Sequence, residues 1–156
     1  MEIKSKEIRL VRIDRIVEHP SNANRHTLEQ IERLAEIIQD SGFREPLVVS
    51  TLSGKLVAGH CRLAAAKLIG MTELPVIHQS FSTESGEIKF MIADNEIARW
   101  AELDRQLVYK MIEELEIPNI EMLGIEKLKP IELEVVLDAE PTPKKEKNCP
   151  HCGELI

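Results

Sequence analysis

Residues 57–70 read VAGHCRLAAAKLIG, and the fold turns on how that stretch is divided. Val57 and Ala58 end an apolar run of strand type, and the alanines after Arg62 belong to a helix. Gly59 stands at the joint. At a strand-to-helix turn, glycine permits a positive φ and lets a ligand come close to the backbone. The helix behind it aims its unpaired N–H groups and the positive end of its dipole at the same space. Arg62 falls in the first turn, where a planar fork of donors suits a bidentate grip on phosphate oxygens. His60 adds a donor or a proton carrier near neutral pH. Ala64, Ala65 and Ala66 let the helix lie close to a sheet and hold the joint rigid. The stretch reads as an anion cradle. Its plain alternative is a tight strand–helix connection with a solvated arginine, a common outcome for motifs this short.

The flanking chain supplies the sheet and helices such a cradle needs. IRLVRI (8–13) alternates apolar and basic residues, as a half-exposed strand does. EHPSNANRH (18–26) is a polar loop of turn formers. Thr27 and Gln30 have capping-box spacing and open a helix whose stripe is Leu28, Ile31, Leu34, Ala35 and Ile38. Gly42 suits the position just past its end. PLVVST (46–51) and KLVAG (55–59) are short strands joined by the turn LSG, and ELPVIH (73–78) is a strand of buried type. A helix is expected over residues 83–98, with Ile88, Met91, Ile92, Asn95 and Ala98 on one side. Asp104 caps another, with the stripe Leu107, Val108, Met111, Ile112 and Leu115, and Pro118 stops it. Residues 119–137 read as a small helix and an extended segment. The expected fold class is α/β or α+β, with one small mixed sheet flanked by helices and a helical extension. Four parts follow: residues 1–103 as the site-bearing domain, 104–137 as the helical extension, 138–148 as a flexible linker and 149–156 as a CxxC tail.

Further residues fit the same anion. Asn95 falls inside the apolar stripe of its helix, and a buried amide needs partners. Asp94 beside it is a hard oxygen ligand, and Mg²⁺ in nucleotide sites is usually held by one or two protein oxygens plus phosphate and water. Arg99, one turn on, can neutralise a phosphate on that side. Asn24 and Arg25 precede the Thr27 helix and form a candidate second clamp on the same polyanion. Glu45, before Pro46 at the entrance of a strand, is a candidate general base or a reader of a nucleobase. Each also has an ordinary reading: Asn95 bonded to nearby backbone, Asp94 and Glu45 as surface charges, the 19–26 loop as a simple turn.

Composition narrows the classes. The chain of 156 residues has 43% hydrophobic but only 3% aromatic residues, so its core must be aliphatic. A net charge of −7 and the lack of a basic block argue against unaided gripping of DNA by its phosphates. Cys61, Cys149 and Cys152 are too few and too ill-spaced for a disulfide framework. Cys149 and Cys152 make half a zinc knuckle. Structural zinc wants four ligands, so a second chain, or His19, His26, His60 or His78, would have to complete that site. No stretch reaches the length of a membrane-spanning helix and MEIKSKEIRL lacks a signal-peptide core, so the cytoplasm is the expected compartment.

Residues 8–100 resemble the ParB/sulfiredoxin superfamily, in its ParB-like N-terminal (ParB-like nuclease) form. The family pattern runs from an Asn/Pro-rich loop ending in Arg, through an amphipathic helix and a Q-P-I-V-V strand, to G-E-R-R-x-x-A-A-x-x-x-G and V-P-V-I. Here these are SNANRH, LEQIERLAEIIQDSGF, REPLVVS, GHCRLAAAKLIG and LPVIH, and DNEIAR resembles the later E-N-x-Q-R segment. The GH-x-R-x-x-AA wording and the IADN segment are similar to modules of phages and mobile elements found beside DNA methyltransferases. The resemblance implies a nucleoside triphosphate site, for CTP or ATP. Gly59, His60, Arg62 and Ala65 would face the phosphates, Asn24 and Arg25 would close over them, and Asn95 with Asp94 would hold Mg²⁺. It implies a nucleotide-driven switch, with or without slow hydrolysis, acting on DNA or a DNA-modifying protein, and it admits a homodimer. His60 and Cys61 stand where the family has Glu and Arg, and Glu45 where it often has Gln.

Three rivals share the framework. Sulfiredoxins carry G-C-H-R; here the order is G-H-C-R, and one helical residue turns a side chain by roughly 100°, which takes Cys61 out of the nucleophile's place. A small-molecule kinase would use Glu45 as its base, since phosphoryl transfer needs little beyond positioning and charge neutralisation. The third is a partner-binding module without enzymatic activity. No cluster of carboxylates marks a metal nuclease, and the acidic EELEIPNIEMLGIE is poor material for a helix entering a DNA groove.

Overall fold

Short strands of β-branched and leucine residues zip into a five-stranded mixed sheet, seen in a computed structural model that describes residues 3–4 and 7–124. Strand β1 (Ile8–Arg12) forms one edge and runs antiparallel to β5 (Glu73–Gln79), with Ile8 opposite Ile77 and Arg12 opposite Glu73. Strand β3 (Leu47–Ser50) lies parallel to β5 and antiparallel to β4 (Lys55–Ala58). Strand β2 (Val17–Glu18) closes the other edge, parallel to β4, so the order is β1-β5-β3-β4-β2.

Alternation along β3, β4 and β5 turns Leu47, Val49, Leu56, Leu74 and Val76 to one face, where Leu63 and Ala66 of helix α2 (His60–Leu68) meet them. Leu47, Leu56, Leu63 and Leu74 are fully buried, and each such side chain is worth about 1.5–3 kcal/mol relative to exposure. The core is therefore densest around the joint between β4 and α2. Helix α1 (Leu28–Ser41) packs on α2 by placing Ala35 and Ile38 against Ala65. Thr27 caps α1 by accepting a hydrogen bond from the Gln30 N–H at 3.2 Å, and the Gly42 N–H closes it on Ile38 O at 2.9 Å. Helix α3 (Glu84–Trp100) starts from a Thr83 cap and packs against β4 on the opposite side of the sheet from α2. Helix α4 (Arg105–Leu115) is capped by Asp104, and a 3-10 turn at Ile120–Leu123 returns the chain to α1.

Most expected elements lie within two residues of their sequence bounds. Strand β2 was not expected; two residues carry no periodicity to read. Ile92, expected on the buried side of α3, is exposed, while Met91 beside it is buried. Among the described residues the α4 stripe is uncovered too, with Leu107, Met111 and Leu115 exposed. No described helix is long and apolar enough to cross a membrane. Residues 125–137 of the expected extension, the expected linker and the Cys149/Cys152 tail lie outside the described residues.

Candidate functional site

Gly59 is the N-cap of α2 and sits in the left-handed region, φ 97° and ψ 26°. Its backbone opens into a cavity of about 480 Å³. The walls come from the 19–26 loop with Asn22 and Asn24, from Arg33, Leu34 and Ile37 of α1, from Glu45, from the end of β4 and the Gly59–Arg62 turn, from Asp94 and Asn95 of α3, and from Leu123. One end is thus polar and charged, while Leu34, Ile37, Val57 and Leu123 give an apolar side.

Arg62 is held at the mouth of this cavity. Its Nη1 donates to the carbonyl oxygens of Glu45 and Pro46 at 3.0 and 3.1 Å and faces the Glu45 carboxylate at 3.0 Å. All three contacts fall on one nitrogen. Nε and Nη2 take no partner among the described residues, so the other edge of the fork keeps its donors beside Gly59. A Cβ built on Gly59 would lie 3.3 Å from Arg62 Nε and 2.5 Å from the buried Leu47 Cδ2. The glycine is required by φ and by space together.

His60 occupies the first helical position. Its Nε2 is buried and lacks a hydrogen-bond partner, an atom that a bound ligand or water must satisfy. Burial pushes its pKa below the usual histidine range against the pull of Glu18, with His26 and His19 adding to the depression. The imidazole is therefore a neutral group at the cavity. Cys61 lines the same wall, and burial raises its thiol pKa against the opposing charge of Arg62. A raised pKa suits a packed thiol better than a nucleophile.

Other expected residues are distributed unevenly. Asn24 lines the cavity, and the Asn22 side chain both donates to Asn24 O at 3.1 Å and accepts from its N–H at 3.2 Å. Arg99 is outside the lining but tied to it, donating to Glu96 at 2.8 Å and to the lining residue Asn24 at Oδ1, 3.4 Å away across 75 positions of sequence. Arg25 is exposed and outside the lining. Ala65 is fully buried against α1, because its place on α2 faces that helix and not the cavity. Asn95 Nδ2 donates to Met91 O at 2.8 Å, the ordinary reading for that amide. The bond fixes the amide plane and leaves Oδ1 as an oxygen donor beside Asp94. This pair fits a hard cation that takes most of its ligands from phosphate and water. No group of three His, Cys, Asp or Glu side chains able to hold a metal occurs among the described residues. Glu45 is exposed and engaged with Arg62.

Sequence reasoning missed Asn22, Arg33 and a buried carboxylate. Glu87 of α3 is fully buried, accepting from Ser50 Oγ at 2.8 Å and Ser53 Oγ at 2.5 Å, with His19 Nε2 at 3.3 Å. Its signal was available, since Glu87, Met91 and Asn95 share one face of α3 at four-residue spacing.

A family model described as the ParB N-terminal domain matches residues 1–95. The ParB-like nuclease domain-containing protein YnaK of Escherichia coli (strain K12) is 36% identical over 63 residues, 40% of this chain and 71% of that protein. A probable chromosome-partitioning protein ParB of Rickettsia typhi is 31% identical over 84 residues, 53% of this chain but 29% of that protein. Among solved structures, the C-terminally truncated chromosome-partitioning protein ParB from Caulobacter crescentus complexed with CTP-gamma-S superposes with a TM-score of 0.61 at 23% identity, over 76% of this chain and 69% of that one. A Pnob8-like ParB-N domain gives 0.51 at 18% identity, over 83% of this chain and 52% of that one. The chain spans less than a third of the Rickettsia relative, so the likeness there is to one part of a longer protein.

Proposed function

The chain belongs to the ParB N-terminal domain family, and on that premise we propose that its cavity binds a Mg²⁺–nucleoside triphosphate, CTP or ATP, as a switch. The observation that carries the proposal is the pairing of left-handed Gly59 with the open Nε/Nη2 edge of Arg62 at the N-terminus of α2. The α2 amides, that edge and His60 Nε2 supply donors for phosphate oxygens, while Asn24 and Arg25 close from the loop. Arg99 is tied to the lining through Asn24. Asp94 and Asn95 would hold Mg²⁺, which supplies charge neutralisation for the phosphates when bound. Ala65 contributes by packing α2 on α1, which keeps the Gly59 turn in place. The leucine and isoleucine side of the cavity offers an apolar wall for the base.

The name of the Caulobacter structure, a ParB complexed with CTP-gamma-S, supports CTP as the first ligand to try. The chromosome-partitioning names of the relatives support a DNA-associated role, which we place in the cytoplasm in a phage or mobile-element process. Slow hydrolysis would use Glu45 only after its carboxylate leaves Arg62. The test is calorimetry with CTP, ATP and GTP, with and without Mg²⁺, on the intact chain and on Arg62→Ala. Mg²⁺-dependent binding of one nucleotide, lost in Arg62→Ala, is expected. Silence for all three would leave a partner-binding module.

A further inference from the structure

We infer that Glu87 is a positioning residue that holds the two polar walls of the cavity in register, an inference that rests on the nucleotide reading above. Hydrogen-bond accounting carries it. Ser50 Oγ accepts from the Leu52 N–H at 3.1 Å and lies 3.4 Å from the Ser53 N–H, and Ser53 Oγ accepts from the Lys55 N–H at 3.2 Å. Both hydroxyls are thus acceptors for the β3–β4 turn, and each turns its proton to Glu87. His19 Nδ1 accepts from the Ser21 N–H at 3.1 Å, which places the ring proton on Nε2, and Nε2 lies 3.3 Å from Glu87 Oε1. Two hydroxyl donors and the N–H edge of His19 thus meet one fully buried side chain, and a carboxylate, which only accepts, suits all of them.

The consequence is mechanical. Glu87 ties the hairpin turn, the start of the 19–24 loop and the first turns of α3 at one point. From there α3 runs beside β4 as a strut: seven residues at 1.5 Å rise carry it about 10 Å to Asp94, while β4 runs from the same turn to Gly59. His19 in turn starts the loop, and its carbonyl accepts from the Asn22 N–H at 3.1 Å, ahead of the Asn22–Asn24 staple. One carboxylate therefore sets where Asn24 and the Asp94–Asn95 pair stand across the cavity. It reaches the ligand only through those residues. A glutamine in its place puts an NH₂ where an acceptor is needed, and Ser50 Oγ, already receiving backbone N–H groups, has no lone pair to spare.

The test uses the intact chain, CTP with Mg²⁺ and then ATP with Mg²⁺ as probes, and three variants. Glu87→Gln and His19→Gln are expected to raise the dissociation constant at least ten-fold and to speed hydrogen exchange of the Ser21–Asn24 amides at least ten-fold, with α1 amides unchanged. Nitrogen NMR is expected to find His19 in the Nε2–H tautomer, set by the Ser21 N–H, in the intact chain, and its Nε2 resonance displaced in Glu87→Gln. Thr83→Ala removes the cap of the same helix without touching the carboxylate, so it should lower the urea midpoint and leave affinity and loop exchange alone. If Glu87→Gln does not fold, His19→Gln, which cuts only the loop arm, decides. Affinity and loop exchange within two-fold of the intact chain in a folded variant overturn the inference. If the intact chain binds neither nucleotide, the functional reading fails, and loop exchange with the His19 Nε2 resonance still judges the coupling.

Discussion

Replacing Gly59 with alanine tests the joint on which the site depends. Two costs add. An L-residue at φ 97° is strained by about 1–2 kcal/mol. The new Cβ would also stand 2.5 Å from Leu47 Cδ2, and Leu47 is fully buried, so the core must give way. Forcing a methyl group into packed core costs about 1–3 kcal/mol. The sum, about 2–5 kcal/mol, is a large part of the 5–15 kcal/mol that holds an ordinary domain together. Gly70→Ala separates the two parts. Gly70, which ends α2, has φ 75° but nothing within 4 Å of its Cβ position, so only the backbone strain applies. Urea unfolding by circular dichroism measures both. With a slope near 2 kcal/mol per molar, Gly59→Ala should lower the midpoint by about 1–2.5 M, at unchanged slope. Gly70→Ala should lose about half as much or less. Equal losses for the two variants would refute the reasoning, since they would mean that Leu47 moves aside freely and the strand–helix joint is not tight.

Glu45→Gln removes the carboxylate that competes with phosphate for Arg62, so nucleotide binding by calorimetry should tighten by a few-fold, in line with the modest worth, about 0.2–1 kcal/mol, of an exposed ion pair; unchanged binding with lost turnover would instead mark Glu45 as a base. Burial lowers the His60 pKa, so the unfolded chain takes a proton there before the folded chain does. Above about pH 6.5 both states are neutral and His60 has no effect on stability, whereas below it stability falls until the folded pKa is passed. The urea midpoint should therefore decline between pH 7 and pH 5, and less steeply in His60→Asn. Thr27→Ala removes the α1 cap and should cost about 1 kcal/mol in the same unfolding assay.

The joint was legible in the sequence because every local preference agrees there: an apolar run, a glycine, then helix formers. The α1 and α4 caps were legible for the same reason at Thr27 and Asp104, whose side chains make the expected first-turn bonds. What escaped was decided by contacts between distant segments. Ala65 faces α1 because α1 docks on that side of α2, which no spacing within 60–68 reveals. Arg62 bonds to carbonyls of residues 45 and 46, so its orientation depends on where β3 enters the sheet. Glu87 went unread although it interrupts an apolar face, because the same rule was applied only to Asn95. Its partners, Ser50 at the end of β3, Ser53 in the turn after it and His19, come from segments whose meeting place is a property of the sheet order.

That sheet order also constrains how the chain acquires its shape. Ile8 on the first strand cannot find its neighbour until Ile77 has been made, and β3 likewise waits for the parallel partner β5. Contacts so far apart in sequence slow collapse to the native state, parallel pairing most of all. On a ribosome, β1 and its exposed Ile8 and Leu10 would leave the exit tunnel long before β5 covers their backbone edge. The β3–β4 hairpin and α2, whose contacts are local, can therefore form before β1 has a partner to pair with.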